Sequence, residues 1–217
     1  QGAGDLSHLA PLCRKYPGAI KTYDVDLTDP AALELFVRDV AARYPTPTHL
    51  VHLPALRVVN TRFKNFDEDR FERDMSVQIR SAVKLCKTFL PAMAKARQGR
   101  VLFMLTSYLL GAPPKNTAAY VMVKSTLQGL AKSLAADYAS FGVTVNCVMP
   151  SMMETKFLAD TSDLIVQASA EANPMKRNAR VEDVVPAMAF LLSEEAGFIT
   201  GVTLPVTGGS AVFMSTS

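Results

Sequence analysis

Cysteine is scarce in this chain: Cys13, Cys86 and Cys147 stand far apart in 217 residues, with no C-x-x-C spacing. An odd, scattered set of three fits neither a disulfide framework nor a zinc site, and a reducing compartment is its simplest setting. Runs of like charge are also missing. The 23 Lys and Arg and the 20 Asp and Glu are dispersed and leave a net charge of +3, which gives no support to a nucleic-acid footprint. Long apolar runs are absent as well. The longest uncharged stretch, Ala196 to Ser217, is interrupted by Gly197, Gly201, Pro205, Gly208 and Gly209, so it is no membrane span. The first residues, Gln1-Gly2-Ala3-Gly4-Asp5, carry neither a Met nor the basic-then-apolar pattern of a signal peptide. Together these absences predict a cytoplasmic protein without nucleic-acid or membrane partners.

What is present is a core. Hydrophobic residues make up 49% of the chain, with only 11 Gly and 13 Pro, a composition that excludes disordered, collagen-like and low-complexity chains. Short apolar runs alternate with longer amphipathic ones, the pattern of βαβ units around a parallel sheet. Strands are predicted near Ala19–Tyr23, His49–Leu53, Val101–Leu105, Val143–Val148 and Val202–Val206. Helices are predicted near Leu6–Lys15, Ala31–Arg43, Asp67–Arg97, Tyr120–Phe141 and Glu182–Ser193. Asp29-Pro30 supplies a cap and a first-turn proline for the second helix, and Gly142 a left-handed stop for the fourth. Segments Gly111–Thr117 and Ser151–Ala179 read as loops with short helices, the second long enough to be a flap over a site. The acids of Asp67–Asp74 read as a solvated helix start. On a strand, His49 and His52 point to opposite faces, so no metal pair is expected. Leu127, Leu130, Leu134 and Tyr138 form an apolar stripe that suits either a core or a subunit interface.

Ligands of open parallel sheets bind beyond the carboxyl ends of the strands, where the chain places Thr106-Ser107, Met149-Pro150-Ser151 and Thr207-Gly208-Gly209. Tyr120 and Lys124 are four residues apart on a helical pattern, about 40° of rotation, so both side chains face one way. A phenol is a poor acid–base catalyst at neutral pH, and a close ammonium is expected to lower its pKa by roughly 1–3. A hydroxyl at a strand end, Ser107, completes the outline of a carbonyl/alcohol site.

Ser107, thirteen positions before Tyr120, followed by Tyr120-x-x-x-Lys124, resembles the Ser-Tyr-Lys triad of the classical short-chain dehydrogenase/reductase family. The resemblance runs along nearly the whole chain. It includes Asp24–Asp29, Gly99–Ser107, Val143–Pro150 with Thr155, and then Pro174, Arg177, Glu182-Asp183-Val184, Phe198–Gly201 and Gly208-Gly209. In pattern it is most similar to the 3-oxoacyl-(acyl-carrier-protein) reductase branch. The resemblance implies a Rossmann-like doubly wound α/β sheet with helices on both faces, hydride transfer between NAD(P)H and a ketone or secondary alcohol, and a homodimer or homotetramer. It assigns Tyr120 as proton donor, Lys124 as its partner and the holder of the nicotinamide ribose, and Ser107 as the residue positioning the substrate oxygen. Gln78 would hold a proton-relay water. Asp26 and Leu27 would lie at the adenine end of the cofactor, Pro54 and Ala55 beside its middle, and Pro150 and Thr155 at the nicotinamide end.

Four departures accompany the match. The family's glycine-rich first turn has no counterpart, so the first strand-helix-strand unit is expected to be missing from a single, N-terminally incomplete domain spanning 1–217. Pro54-Ala55 replaces Ala-Gly, Gln78 stands where catalytic members carry Asn, and Pro150-Ser151 replaces Pro-Gly. Retention of Ser107, Tyr120 and Lys124 favours an enzyme; the departures favour a weakly active or non-catalytic relative serving as a binding or assembly subunit.

Overall fold

The computed structural model describes residues 7–158 and 161–210. Leu6 and the glycine pair Gly2 and Gly4 lie outside them. Four parallel strands, β1 (His49–His52), β2 (Gly99–Met104), β3 (Val143–Pro150) and β4 (Thr203–Val206), lie side by side in chain order. Seven helices surround them among the described residues: α1 (Ala10–Lys15), α2 (Pro30–Arg43), α3 (Glu68–Met75), α4 (Ser81–Ala96), α5 (Ala118–Tyr138), α6 (Asp163–Ala172) and α7 (Val181–Leu192).

Side chains alternate across the sheet and so build two cores. Val101, Phe103 and Leu105 of the β2 segment and Val143, Val145, Cys147 and Met149 of β3 face one way, against Leu33 and Val37 of α2, Phe89, Leu90 and Met93 of α4, and Leu127, Ala131 and Ala135 of α5. Leu102 and Val148 face the other way, against Val184 and Leu191 of α7. Each such side chain is worth about 1.5–3 kcal/mol when fully buried. The apolar stripe of α5 belongs to the first core: Leu127 is buried, and Leu130, Leu134 and Tyr138 pack on it. None of the helices described is long and apolar enough to cross a membrane.

Two local features depart from the sequence expectations. The run Ala19–Tyr23 is not a strand, because no strand lies beside it among the described residues and a strand exists only with a ladder. Its residues pack instead: the Tyr23 ring meets Phe36 edge-on at 5.0 Å and its hydroxyl donates to Asp39 (2.8 Å), while Val25 and Leu27 enter the core. The helix expected over Asp67–Arg97 is broken by a π-helical turn at Ser76–Arg80. There the Ser81 hydroxyl donates to the Val77 carbonyl (2.5 Å), the local competition that widens a helix. Arg97 then ends α4 in the left-handed region (φ 52°). The segment Ser151–Ala179, expected as a loop with short helices, holds the ten-residue α6 and a short 3-10 turn at Lys156–Leu158.

Gly142 is the left-handed stop the sequence suggests (φ +75°), and a side chain there would meet the Arg97 carbonyl oxygen at 2.6 Å. Asp29 caps α2 by accepting from Ala31 N (2.8 Å), and Asp67 caps α3 by accepting from Arg70 N (2.8 Å). His49 and His52 point to opposite faces. The His49 ring bonds the Leu192 carbonyl (3.0 Å), whereas His52 is buried against Ser81 (2.8 Å). No cluster of three or more metal-ligating side chains exists among the described residues.

Candidate active site

The carboxyl ends of β1, β2 and β3 open into a cavity of about 650 Å³, within the range of small-molecule and cofactor sites. Its wall includes Asp26, Leu27 and Thr28, then Leu53, Pro54 and Ala55 after β1, and Pro150, Ser151 and Thr155 after β3. Tyr120 and Lys124 rise into it from the first turns of α5. All eight residues expected at a cofactor, Asp26, Leu27, Pro54, Ala55, Tyr120, Lys124, Pro150 and Thr155, therefore line one cavity. Asp26 accepts from the Thr28 backbone N (2.8 Å) and hydroxyl (2.7 Å), and these bonds lower its pKa.

Lys124 is only 2% exposed. Its ammonium donates to the Met104 carbonyl at the end of β2 (2.8 Å) and lies 5.8 Å from the centre of the Tyr120 ring. Burial pulls its pKa down to about 8, against the charge of Asp74, which raises it. The Tyr120 phenol moves oppositely to the sequence expectation. Burial pushes it up to about 12, and the opposing influence is a hydrogen bond with Thr106, because loss of water around a phenolate outweighs that bond. Tyr120 is thus a protonated donor here. Tyr108 stands edge-on to the Tyr120 ring, 6.0 Å between centres.

Ser107 is half-buried in the 3-10 turn Ser107–Leu109, while its neighbours Thr106 and Tyr108 supply the cavity wall. Gln78 is not brought to the cavity either. It is fully buried in the π-turn and donates its amide N–H to Asp74 Oδ1 (2.6 Å). Asp74, read from sequence as part of a solvated helix start, is the one buried residue of α3. The wall also includes Thr106, placed by the sequence at the carboxyl end of β2, the flap residues Met152 and Met153, and Tyr108, Phe157 and Leu158, which the sequence reading did not single out. Thr106 had a signal, since it is the first polar residue after the β2 run; the flap residues had only apolarity. The flap is pinned at its base, where Glu154 N donates to Ala179 O (2.9 Å) and Ala179 N to Met152 O (3.0 Å). Farther on, Asn173 Nδ2 donates to Thr207 O (2.9 Å).

A family model described as enoyl-(acyl carrier protein) reductase matches residues 2–211. The chain is 32% identical over 185 residues to the 3-oxoacyl-(acyl-carrier-protein) reductase of Escherichia coli (strain K12), covering 85% of this chain and 75% of that protein. The chain belongs to the short-chain dehydrogenase/reductase family. An acetoacetyl-CoA reductase of Allochromatium vinosum is 28% identical over 191 residues, covering 88% of this chain and 76% of the relative. Among solved structures, a gluconate 5-dehydrogenase from Burkholderia cenocepacia in complex with NADP and tartrate superimposes with a TM-score of 0.84 at 20% identity, over 96% of this chain and 83% of that one. At that identity the likeness establishes the fold, the Rossmann-like α/β sheet of short-chain dehydrogenases.

Proposed function

We propose that the protein is an NAD(P)(H)-dependent oxidoreductase that interconverts a ketone and a secondary alcohol, with Tyr120 as the general acid and base. The observation that carries this reading is the meeting of Tyr120 and Lys124 inside one cavity with every residue expected at the cofactor. The residues suit a nicotinamide dinucleotide: a buried cation, Lys124, lines one cavity of about 650 Å³ together with the Asp26 carboxylate and the Thr155 hydroxyl. Asp26 and Leu27 would hold the adenine end, Pro54 and Ala55 the middle, Lys124 the nicotinamide ribose, and Pro150 and Thr155 the nicotinamide end. Bound there, the cofactor supplies the hydride for carbonyl reduction and accepts it for alcohol oxidation.

The chain's own residues manage the proton. In reduction the Tyr120 hydroxyl gives its proton to the substrate's carbonyl oxygen, and a phenolate remains on Tyr120. Two groups stabilise that charge where it develops: the Thr106 hydroxyl, which donates to it, and the Lys124 ammonium, which is fixed by Met104 O. Both interactions strengthen as the phenolate forms, which is what lowers a barrier. Burial keeps Tyr120 protonated before the reaction and excludes water during it. In oxidation the same atoms work in reverse, with the phenolate taking the alcohol proton. The Ser-Tyr-Lys pattern gives Ser107 the part of orienting the substrate oxygen, although its neighbours Thr106 and Tyr108, not Ser107, line the cavity.

Val58, Met152, Met153, Phe157 and Leu158 give the substrate end an apolar lining, which suits an uncharged acyl chain such as that of a 3-oxoacyl thioester, or another small ketone. We place the protein in the cytoplasm as a homodimer or homotetramer, consistent with its few free thiols and the helices described. The test is oxidation of NADH and NADPH with 3-oxoacyl thioesters and small ketones. Cofactor-dependent turnover supports the reading; no turnover of any carbonyl with either cofactor overturns it in favour of a non-catalytic relative.

A further inference from the structure

Asp74 occupies a place where a carboxylate is costly. It follows Phe71 by three residues and precedes Gln78 by four, so the three share one helical face. That face turns inward: Asp74 is 9% exposed and Gln78 fully buried. The bonds Asp74 Oδ1 accepts come from neutral donors, Gln78 Nε2 (2.6 Å) and the Leu56 backbone N (3.4 Å). A buried carboxylate held this way needs compensation from nearby cations or a function. Asp74 and Tyr120 together line a second, small cavity of about 40 Å³, with Arg57, Asp67, Arg70 and Asn116 around it. Tyr120 and Val58 line both this cavity and the large one, so Asp74 shares with Tyr120 a wall that also bounds the large cavity.

We propose that Asp74 is a positioning residue of the active site: clamped by Gln78 and the loop after β1, its carboxylate shares the small cavity with Tyr120 and supports the Tyr120–Lys124 pair. The proposal rests on the reading of Tyr120 and Lys124 as the acid–base pair. The direction follows from charge alone. An anion nearby favours the protonated form of each neighbour, and the Asp74 charge raises the pKa of both Tyr120 and Lys124. For Lys124 this opposes burial and retains the cation that the phenolate requires. The other titratable and charged groups around the pair are Tyr108 after β2, Cys147 on β3 and His52 on β1, with Arg57, Asp67 and Arg70 at the small cavity.

The test uses D74N and D74S, with D69N on the exposed face of the same helix as control. Lys124 is titrated in the ligand-free protein by the pH dependence of its acetic anhydride labelling, read by peptide mass spectrometry. The pH–rate profile with NADPH is measured in parallel, and folding is checked by circular dichroism. In D74N the Lys124 titration is expected to move to lower pH by about one unit, and both limbs of the rate profile to move the same way; D69N leaves both in place. A folded D74N with an unmoved Lys124 titration overturns the proposal, as does failure of both D74N and D74S to fold, which would make Asp74 purely structural. If the parent turns over no carbonyl while the D74N titration still moves, the coupling stands and the assigned activity falls.

Discussion

His52 makes a quantitative pH prediction. The hydroxyl of Ser81 gives its proton to Val77 O (2.5 Å), so in the 2.8 Å contact between His52 and Ser81 it is His52 Nε2–H that donates. The proton of an imidazolium would therefore go on Nδ1, which is buried and has no hydrogen-bond partner. Loss of solvation, with the Lys124 charge adding to it, pulls the His52 pKa from 6.5 down to about 4. The sign follows from linkage: the unfolded chain binds the proton first, so the stability contribution is complete above pH 6.5 and is lost as pH falls toward 4. The two values give a loss of about 2 kcal/mol at pH 5 and about 3 kcal/mol at pH 4. Urea unfolding of the parent and of His52→Gln, whose amide can still donate to Ser81, measures this. The variant is expected to lose less stability than the parent between pH 7 and 5, by about 2 kcal/mol. Parallel curves would refute the buried neutral imidazole.

Three further outcomes follow from single contacts. Gly142→Ala forces a positive φ on a residue with a side chain and drives its Cβ against the Arg97 carbonyl, so urea unfolding should show a loss of about 1–3 kcal/mol. Asn173→Ala removes the amide bond to Thr207 O, which still accepts from Ser210 N and Oγ, so it should cost only about 0.5–1.5 kcal/mol, and by freeing the flap from the end of β4 should raise KM more than it lowers kcat. Thr106→Val removes the hydroxyl that lowers the Tyr120 pKa, so the rising limb of alcohol oxidation should move to higher pH, whereas Ser107→Ala should lower kcat without moving that limb.

Periodicity carried the sheet. The runs at β2 and β3 are apolar on both faces because helices cover both, and such runs are hard to mistake when helical patterns separate them. Ala19–Tyr23 shows the limit: its residues are as apolar as those of β1, but a strand is a property of two segments, and the run alone does not say whether a neighbour stands beside it. The π-turn at Ser76–Arg80 was hidden for a related reason, since a polar contact between Ser81 and Val77, not composition, decides it. At the site, the spacing of Tyr120 and Lys124 and the strand-end positions were legible. Asp74 was not, because an acid at a helix start reads as solvated until the packing of Gln78 and Leu56 around it is known. The Tyr120 pKa escaped the sequence as well: the spacing marks a nearby lysine, whereas the burial that raises the pKa comes from the whole fold and the bond that opposes it comes from Thr106.

The role proposed for Tyr120 is to move the proton in a nicotinamide-dependent carbonyl reduction. The most direct measurement compares the turnover of the best ketone substrate by the parent with that by Tyr120→Phe, with NADPH or NADH consumption followed and folding verified by circular dichroism. A loss in kcat/KM of about 10²–10⁴-fold in a folded variant is the predicted result. A folded Tyr120→Phe protein that works as fast as the parent would contradict it.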